Sequence, residues 1–515
     1  MGDKILIIGG GLAGLATGCY GQMNDYKTKI YEMHFIPGGC CTAWKRKGYV
    51  FDQCIDWMLG AKPGIDMYQL WEELHGLKGK NVRFFEDEFN CVVNEKGEKV
   101  IFYTDPDKLE KHLKKISPED QDIIEEFCDG VRLYARSPNF PFLKPEPLWT
   151  IWDKVKYNIG LLPYIKSILK YAVDPIESFA NRFKSPLLRA AFPFIFQQKN
   201  PDFMVLPYLY NLGAMHAKNA CYPDGGSLEL AKSVEQRYKD LGGEILYKKR
   251  VTKVLVERDK AVGVQFEDGT TEHADIVVST IDGRTTIYDL LGGQYVDKDI
   301  TMLYDALLNN DTNKVKIYHG FYLLFLGINR DLSDVPSSTT YLLEDGSQLF
   351  GGYQNSFCVR HFCHHEPNFA PKGKSVIEVF YYSDYDCWKT LYDSDRESYN
   401  EKKTKVANFI IDFLEKQYPG LKGQIEAIDT STPVTAERYT GNYQGTVMAW
   451  SPFGDTEDHV KPLIDKLHMQ LPGLKNFYMA GHWLSTGALI RAVSSGRYVM
   501  QFICKNEGKK FKVIK

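Results

Sequence analysis

Three glycines near the start of the chain have the spacing that lets a backbone wrap around a dinucleotide. The apolar run Lys4–Ile8 leads directly into Gly9-x-Gly11-x-x-Gly14. In such a turn Gly9 permits the tight bend, Gly11 lets the backbone approach a pyrophosphate, and Gly14 lets the following helix pack closely on the strand. The spacing therefore predicts a dinucleotide site, although the same glycines also occur in turns that only pack a helix on a strand.

The helix and the strand that follow this turn supply the remaining parts of the predicted site. Leu12 and Ala13 open the helix, so their backbone N–H groups and the helix dipole favour bound phosphates. Residues 28–32 read as a second strand that ends on Glu32, roughly 20 residues beyond the glycines, where an acid binds ribose hydroxyls. Glu32 could instead be a solvated carboxylate at the end of a strand.

Two other groups of side chains have types that bind metal or exchange electrons. The run Cys358–His365 contains two cysteines and three histidines, but no second paired cluster completes a tetrahedral site, so we expect no metal. Cys40 and Cys41 are adjacent in the chain. Neighbouring cysteines rarely form a disulfide without backbone strain, which favours packed thiols over a redox relay.

These motifs need a parallel sheet, and the sequence patterns place its strands in separate parts of the chain. The N-terminal strand, helix and strand are followed much later by a helix and strand-like runs that end with Ala274–Ser279. A last strand enters a turn at Gly481 and leads into a closing helix. We predict an α/β fold in which a Rossmann-like domain is interrupted by an α+β substrate-binding domain. The first spans residues 1–75, 218–295 and 441–515, and the second spans residues 76–217 and 296–440.

A basic and aromatic segment over residues 148–173 predicts helix within the second domain. It combines Trp149, Trp152 and several aliphatic residues with four lysines, and Pro163 should bend or break it. Such a helix can lie in a lipid headgroup layer. A helix that covers a substrate cavity would show the same pattern.

Composition and charge limit which partners and which cellular compartment are expected for the protein. A net charge of -3 and a pI near 6.5 provide no basic field, so nucleic acid is not expected. Eleven scattered cysteines and a first strand that begins at Lys4, with no secretory signal before it, indicate the cytoplasm. No apolar run approaches the roughly 18 residues that span a bilayer, so any membrane contact would be peripheral.

Five motifs, taken in order, resemble the phytoene desaturase, carotenoid isomerase and retinol saturase group of the amine-oxidase-like FAD superfamily. They are Gly9–Gly14 with Glu32, Pro37–Thr42 with Gly48–Asp52, Tyr222–Ser227 with the strands after it, Pro367–Gly373, and Ala480-Gly481 with Ser495–Arg497. The similarity covers essentially the whole chain. It implies FAD as the cofactor and a Rossmann-like domain of the glutathione-reductase type, the FAD/NAD(P)-binding fold.

The resemblance also implies further flavin contacts. Beyond the N-terminal glycines, Leu12, Ala13 and Glu32, these contacts are Gly38, Gly39, Cys40, Val251, Gly481, His482, Leu489 and Ile490. Three positions depart from the family pattern. Cys40 stands where many desaturases carry Arg, Asp56 stands where retinol saturases carry His, and His482 stands where most members carry Asp.

Because the family's fold would bring Asp56 and His482 beside the flavin, they are the candidate catalytic residues. A carboxylate in such an apolar setting would have a raised pKa and could act as an acid. Each residue also has a structural interpretation. Asp56 could be a buried, hydrogen-bonded acid, and His482 could bind the ribityl chain.

The resemblance implies an FAD-dependent oxidoreductase that acts on carbon–carbon double bonds of a lipophilic polyene, isoprenoid or unsaturated lipid. The cysteines that follow Gly39 favour reduction of the retinol-saturase kind. Desaturation of the phytoene or carotenoid kind and flavin-dependent cis/trans isomerisation are the alternatives, and a non-catalytic flavin-binding lipid carrier is the alternative of another class. With one dinucleotide motif visible, no dedicated NAD(P)H site is expected, and the electron donor or acceptor stays open.

Overall fold

The computed structural model describes residues 3–136, 138–199, 203–309, 317–451, 469–484 and 487–514. A parallel sheet carries the N-terminal glycine motif. Its strands are β1 Lys4–Ile8, β2 Lys27–Tyr31, β10 Glu244–Leu246, β14 Ile276–Ser279 and β20 Phe477–Met479, in the order β10-β2-β1-β14-β20.

Apolar side chains on both faces explain why β1 lies in the middle of this sheet. Ile5 and Ile7 pack into one hydrophobic cluster, and Leu6 and Ile8 pack into another on the opposite face. Strands buried on both faces are typical of parallel sheets that are covered on both sides. The predicted Rossmann-like α/β fold is confirmed.

The α-helices of the described residues cover this sheet and build much of the rest of the molecule. They are α1 Leu12–Met23, α2 Asp66–Glu73, α3 Pro106–Ile116, α4 Gln121–Tyr134, α5 Ile151–Leu161, α6 Ile165–Tyr171, α7 Ile176–Ala180, α8 Pro186–Ala191, α9 Val205–His216, α10 Gly226–Asp240, α11 Lys298–Leu308, α12 Tyr385–Ser394, α13 Arg396–Gln417, α14 Pro433–Thr440 and α15 Leu489–Asn506. The break expected at Pro163 is present, since a 3₁₀ turn over Leu162–Tyr164 separates α5 from α6. No helix in the described part of the chain is both long and apolar enough to cross a membrane.

The described residues also form three smaller sheets. Strands β11 Val251–Glu257, β12 Lys260–Phe266 and β13 Thr271–His273 form an antiparallel meander, and the turn predicted at Asp268 joins its last two strands. A hairpin consists of β3 Ala43–Arg46 and β4 Tyr49–Asp52. The third sheet has β5 Met58–Leu59 and β6 Val82–Phe84 on either side of β9 Ala220–Pro223.

A larger mixed sheet has seven strands and brings distant parts of the chain together. Its strands are β7 Glu88–Val93, β8 Lys99–Tyr103, β15 Gly320–Ile328, β16 Ser338–Leu342, β17 Ser356–His361, β18 Ser375–Ser383 and β19 Ile425–Ser431, in the order β19-β15-β18-β17-β16-β7-β8. The pairing of β16 with β7 is parallel, and the other pairings are antiparallel.

A buried ion pair ties the closing helix to the N-terminal half. Arg497 on α15 donates from Nε to Glu73 Oε2 at 2.9 Å, and both side chains are almost fully buried. Tyr20 Oη donates to the same oxygen at 2.7 Å, and Gln69 donates to the other carboxylate oxygen at 2.8 Å. Each of these side chains has a hydrogen-bond partner in the cluster. Loss of Arg497 would therefore leave the buried carboxylate of Glu73 without its counterion.

Replacement of Arg497 by Met should therefore lower the free energy of unfolding by about 3–5 kcal/mol, because Glu73 would stay buried without its cation. Urea denaturation followed by circular dichroism measures this loss. As a matched control, Glu401→Gln removes an exposed ion pair with Lys405 and should change stability by less than about 0.5 kcal/mol. Equal effects of the two substitutions would contradict the role of the buried pair.

Candidate functional site

The atoms of the opening turn are packed so closely that two of its glycines cannot be replaced without strain. Gly9 has a φ of +101° and donates from its N–H to the Tyr31 carbonyl at 2.9 Å. A Cβ on Gly14 would lie 2.0 Å from the Gly9 carbonyl oxygen, far inside van der Waals contact. Gly9 and Gly14 are thus required by the approach of α1 to β1.

Gly11 differs, because nothing in the protein itself requires a glycine there. It has an extended conformation, with φ -69° and ψ 174°, and a Cβ on it would meet its nearest neighbours, Gly38 O and Gly39 Cα, at 3.8 and 4.0 Å. The Gly38 N–H donates to the Gly10 carbonyl at 2.9 Å, so two glycine-rich segments lie side by side. Because both segments consist of backbone without side chains, a pyrophosphate could approach them closely.

The first turn of α1 lies directly beside these glycines. No side chain caps the N-terminus of this helix. The first N–H groups of a helix, here those of Leu12 and Ala13, have no partner within the helix itself. They can therefore donate to phosphate oxygens at the positive end of the helix dipole.

Glu32 is held rigidly at the end of β2. Its carboxylate accepts hydrogen bonds from the Gly10 N–H at 2.6 Å and from the His34 N–H at 2.7 Å. Burial raises the pKa of Glu32 above its ordinary value, and these N–H groups partly offset the effect. A carboxylate has about four lone-pair positions, so two remain for the hydroxyl groups of a ribose.

The C-terminal motif lies against the same turn. Gly481 donates from its N–H to Ser495 Oγ at 2.8 Å, and a Cβ on Gly481 would lie 4.0 Å from the Cβ of Ala13. His482 follows in a 3₁₀ turn, where burial lowers its pKa to about 4, so its imidazole is neutral near pH 7. The two ends of the chain thus meet where the cofactor is expected.

Other expected cofactor contacts lie next to these groups. Cys40 directly follows Gly39, and burial raises the pKa of its thiol to about 12, which leaves it protonated. Val251 begins β11, two residues after Lys249, whose N–H donates to the Glu32 carbonyl at 2.9 Å. Leu489 and Ile490 form the first turn of α15, and Ile490 is buried in the core. Direct contact of these residues with FAD stays a prediction.

Two of the sequence motifs meet at Asp52. This fully buried carboxylate accepts from the Ser227 N–H at 2.6 Å and from the Cys54 N–H at 3.1 Å, and it also accepts from Ser227 Oγ. The contact joins β4 to the start of α10. It also sets the path of the loop that carries Asp56.

Asp56 has a cationic partner that was not predicted from the sequence. Arg360 on β17 donates from Nη1 to Asp56 Oδ1 and, at 3.2 Å, to the Ile55 carbonyl. The same guanidinium donates from Nε to Glu378 Oε2 on β18 at 2.9 Å. Burial, together with the charge of Asp56, raises the pKa of Glu378 to about 7 even though Arg360 opposes this shift. One buried cation therefore serves two carboxylates.

Arg360 and Glu378 were not predicted from the sequence, although a signal was present. Each is a single charged residue in an otherwise largely apolar strand, and the two face each other in the register of β17 and β18. An isolated charge in a buried strand needs a partner.

Aromatic rings lie close to this charged cluster, at Trp57, which directly follows Asp56, and at Phe380, which faces Arg360. The Trp57 ring lies 5.0 Å from Phe196 and 5.5 Å from Phe89, measured between centroids. The Arg360 guanidinium lies 5.3 Å from the centroid of Phe380. Asp56, whose side chain is about one-third exposed, is the most accessible member of the cluster.

The remaining candidate groups have other partners. Cys358 Sγ lies 3.3 Å from Ser338 Oγ, and His364 Nε2 lies 2.8 Å from the Val335 carbonyl. No group of three metal-ligating side chains occurs among the residues that the structure describes. Within that same part of the chain, no hydrogen bond or ion pair joins Asp56 to His482.

The different surroundings of Gly11 and Gly14 separate cofactor binding from folding. Gly11→Ala should keep the stability of the apoprotein or raise it by up to about 1 kcal/mol, since its backbone suits any residue. It should nevertheless weaken FAD binding at least about tenfold, because the methyl group occupies the approach to the pyrophosphate. Gly14→Ala should cost about 1–3 kcal/mol or more by overpacking. Flavin absorbance after reconstitution and thermal unfolding of the apoprotein measure the two effects, and FAD binding by Gly11→Ala at wild-type strength would refute the assignment.

Comparison with known proteins agrees with this geometry. The chain is 25% identical to the chloroplastic prolycopene isomerase of Daucus carota, over 86% of this chain and 71% of the relative. It is 25% identical to the all-trans-retinol 13,14-reductase of Danio rerio, over 96% and 85% of the two chains. It is also 24% identical to the lycopene-forming phytoene desaturase of Pseudescherichia vulneris, over 95% and 96%.

A solved structure shares the fold, and a family model matches the sequence. Cyclohexylamine oxidase from Brevibacterium oxydans IH-35A superposes with a TM-score of 0.59 at 11% identity, over 99% of this chain and 100% of that one, which shows the fold alone. Residues 12–286, more than half of the chain, match the model described as flavin containing amine oxidoreductase. The cofactor is FAD, which the paired glycine segments and Glu32 fit. The chain belongs to the flavin containing amine oxidoreductase family.

Proposed function

We propose that this oxidoreductase acts on carbon–carbon double bonds of a lipophilic polyene, isoprenoid or unsaturated lipid. The observation that carries the proposal is Asp56, a partly exposed carboxylate that is held by Arg360 and directly precedes Trp57, whose ring packs on Phe196. The names of the three relatives support the same class of substrate, since they describe an isomerase, a reductase and a desaturase of carotenoids or retinoids.

The residues of the chain have a limited task in such a reaction. Bound FAD supplies the acceptance or donation of a hydride. Trp57, Phe196 and Phe380 provide apolar surface that binds a hydrocarbon chain and excludes water. Asp56 is the group placed to take up or release the proton that accompanies the hydride. His482, as a neutral imidazole, is suited to a hydrogen bond with the ribityl chain.

We propose reduction of the retinol-saturase kind as the direction, on the basis of the two cysteines that follow Gly39. The contact between Arg360 and Asp56 favours one of the alternatives, desaturation. Asp56 forms an ion pair with Arg360, and a carboxylate paired with a cation is suited to accept a proton. Desaturation needs such an acceptor, and isomerisation involves no net redox change.

We further propose that the first predicted domain binds FAD and that the second, which contains the seven-stranded sheet, binds the substrate. We propose the cytoplasm as the compartment, supported by eleven cysteines that are all free. The electron donor or acceptor is not assigned.

The direction of the reaction is tested by the mass of the product. Flavin reduced by light under anaerobic conditions should reoxidise when retinol or an acyclic carotene is added, and the lipid should gain two hydrogen atoms. Bleaching of oxidised flavin by the lipid, with loss of two hydrogen atoms, would establish desaturation instead. A changed double-bond geometry at constant mass would establish isomerisation. A flavin that responds to a chemical reductant but to no lipid would favour the carrier.

Asp56→Asn should lower turnover about 10²–10⁴-fold, the usual contribution of a positioned acid or base, with little loss of bound flavin. Stopped-flow measurement of flavin reoxidation or bleaching gives the rate, and flavin absorbance gives the occupancy. Asp345→Asn, an exposed carboxylate with only local hydrogen bonds, is the matched control and should react at the wild-type rate. An Asp56→Asn variant as fast as this control would exclude a proton-transfer role for Asp56.

A further inference from the structure

An apolar helical surface, formed by residues 151–173, is not covered by any other part of the chain that the structure describes. It consists of α5, the turn Leu162–Tyr164, α6 and the two residues that follow. Ile151, Trp152 and Leu169 are 80%, 74% and 75% exposed. The other exposed apolar side chains of this surface are Val155, Ile159, Leu162, Ile165 and Val173. Such a concentration of exposed large apolar residues marks an interaction site.

These side chains form stripes rather than a random scatter. On α5, Ile151, Trp152, Val155 and Ile159 follow the spacing i, i+1, i+4 and i+8, which covers an arc of about 100° on a helix. On α6 and just beyond it, Ile165, Leu169 and Val173 follow i, i+4 and i+8. In a soluble helix such a stripe faces the core, but α5 has no buried residue at all.

Side chains that face away from this surface, one in the turn before α6 and one on α6, attach it to α4. Tyr164 stacks on Tyr134 of α4 with a centroid distance of 5.3 Å, and Tyr171 Oη donates to Glu126 at 2.8 Å. The start of α5 is secured differently. Thr150 and Asp153 form a capping box, and the Asp153 carboxylate also pairs with Lys144 at 2.8 Å. An isolated helix of eleven residues is marginal in water, so α5 gains stability when its apolar stripe is covered.

The charges beside the stripes indicate what covers them. Residues 148–173 contain four lysines and one aspartate, a net charge of +3 in a protein whose total is -3. Lys154, Lys156 and Lys166 form no ion pair within the described part of the chain. A second copy of the chain would bring these lysines toward identical lysines. An anionic lipid headgroup layer offers the opposite charge.

We propose that this surface docks the protein on an anionic lipid bilayer, with Trp152, Leu162 and Leu169 among the acyl chains and the lysines at the phosphates. Helices with an apolar stripe and a lysine-rich polar side lie in the plane of the interface in this way. Docking does not depend on the reaction. That it serves the uptake of a lipophilic substrate from the bilayer rests on the proposed function.

Flotation of the full-length holoprotein with vesicles tests the docking. The wild type should float with phosphatidylcholine vesicles that contain phosphatidylglycerol, more weakly with phosphatidylcholine alone, and less as salt is raised. The double variant Trp152→Ser with Leu169→Ser should lower the apparent partition about tenfold or more. Lys154→Glu with Lys166→Glu should remove the preference for anionic vesicles.

The control is Ile428→Ser, which removes an apolar side chain that is 52% exposed on β19, outside this surface. This variant should float like the wild type. Absence of flotation with either vesicle, or equal flotation of the Trp152/Leu169 variant and the control, would overturn the proposal. So would a wild-type dimer in sedimentation that the same variant converts to a monomer, because a second copy would then be the occupant.

Turnover of a detergent-dispersed polyene tests the proposed function independently of membrane docking. The Trp152/Leu169 variant should react at the wild-type rate under these conditions, since its substitutions lie outside the residues that hold FAD and Asp56. A wild-type protein that floats but transforms no lipid would count against the proposed function and leave the docking intact.

Discussion

The close contact between the first helix and the first strand is the constraint on which the remaining architecture depends. The carbonyl of Gly9 occupies the position that a side chain on Gly14 would need. Because α1 lies this close to β1, its N-terminus points across the edge of the sheet, where the Gly38 segment and Glu32 lie. The closing helix then packs on α1 through Gly496, whose Cβ would lie 2.6 Å from the Thr17 nitrogen. Binding of a dinucleotide and closure of the fold thus share one set of backbone contacts.

A second level of organisation comes from buried charges that are shared between distant segments. Arg497 with Glu73 joins the last helix to α2, and Arg360 joins Asp56 to Glu378 on the larger sheet. Charges in such places are costly unless each is paired. The pairs therefore determine how the segments align, and the second leaves Asp56 as its accessible carboxylate. The chemistry proposed for the protein depends on that alignment.

Local elements were predicted well because their causes are local. The first strand and helix, the turn at Asp268, the break at Pro163 and a closing helix all follow from glycine, proline and apolar spacing within a short window. The surroundings of Asp56 could not be predicted in that way. Its cation, Arg360, lies 304 residues further along the chain, and no local pattern sets that pairing.

The sequence by itself determined the dinucleotide turn and the Rossmann-like sheet, because glycine spacing and strand patterns reflect what the backbone must do. The flavoprotein family followed from the resemblance of five motifs to those of a known group. The tertiary structure decided which charges meet and which apolar side chains stay uncovered. Asp56 and Arg360 acquire their relation only when β17 packs beside the loop after β4. The sequence of α5 is compatible with a lipid layer or with a substrate cavity, and only the folded molecule shows that no other element of the described residues covers its apolar stripe.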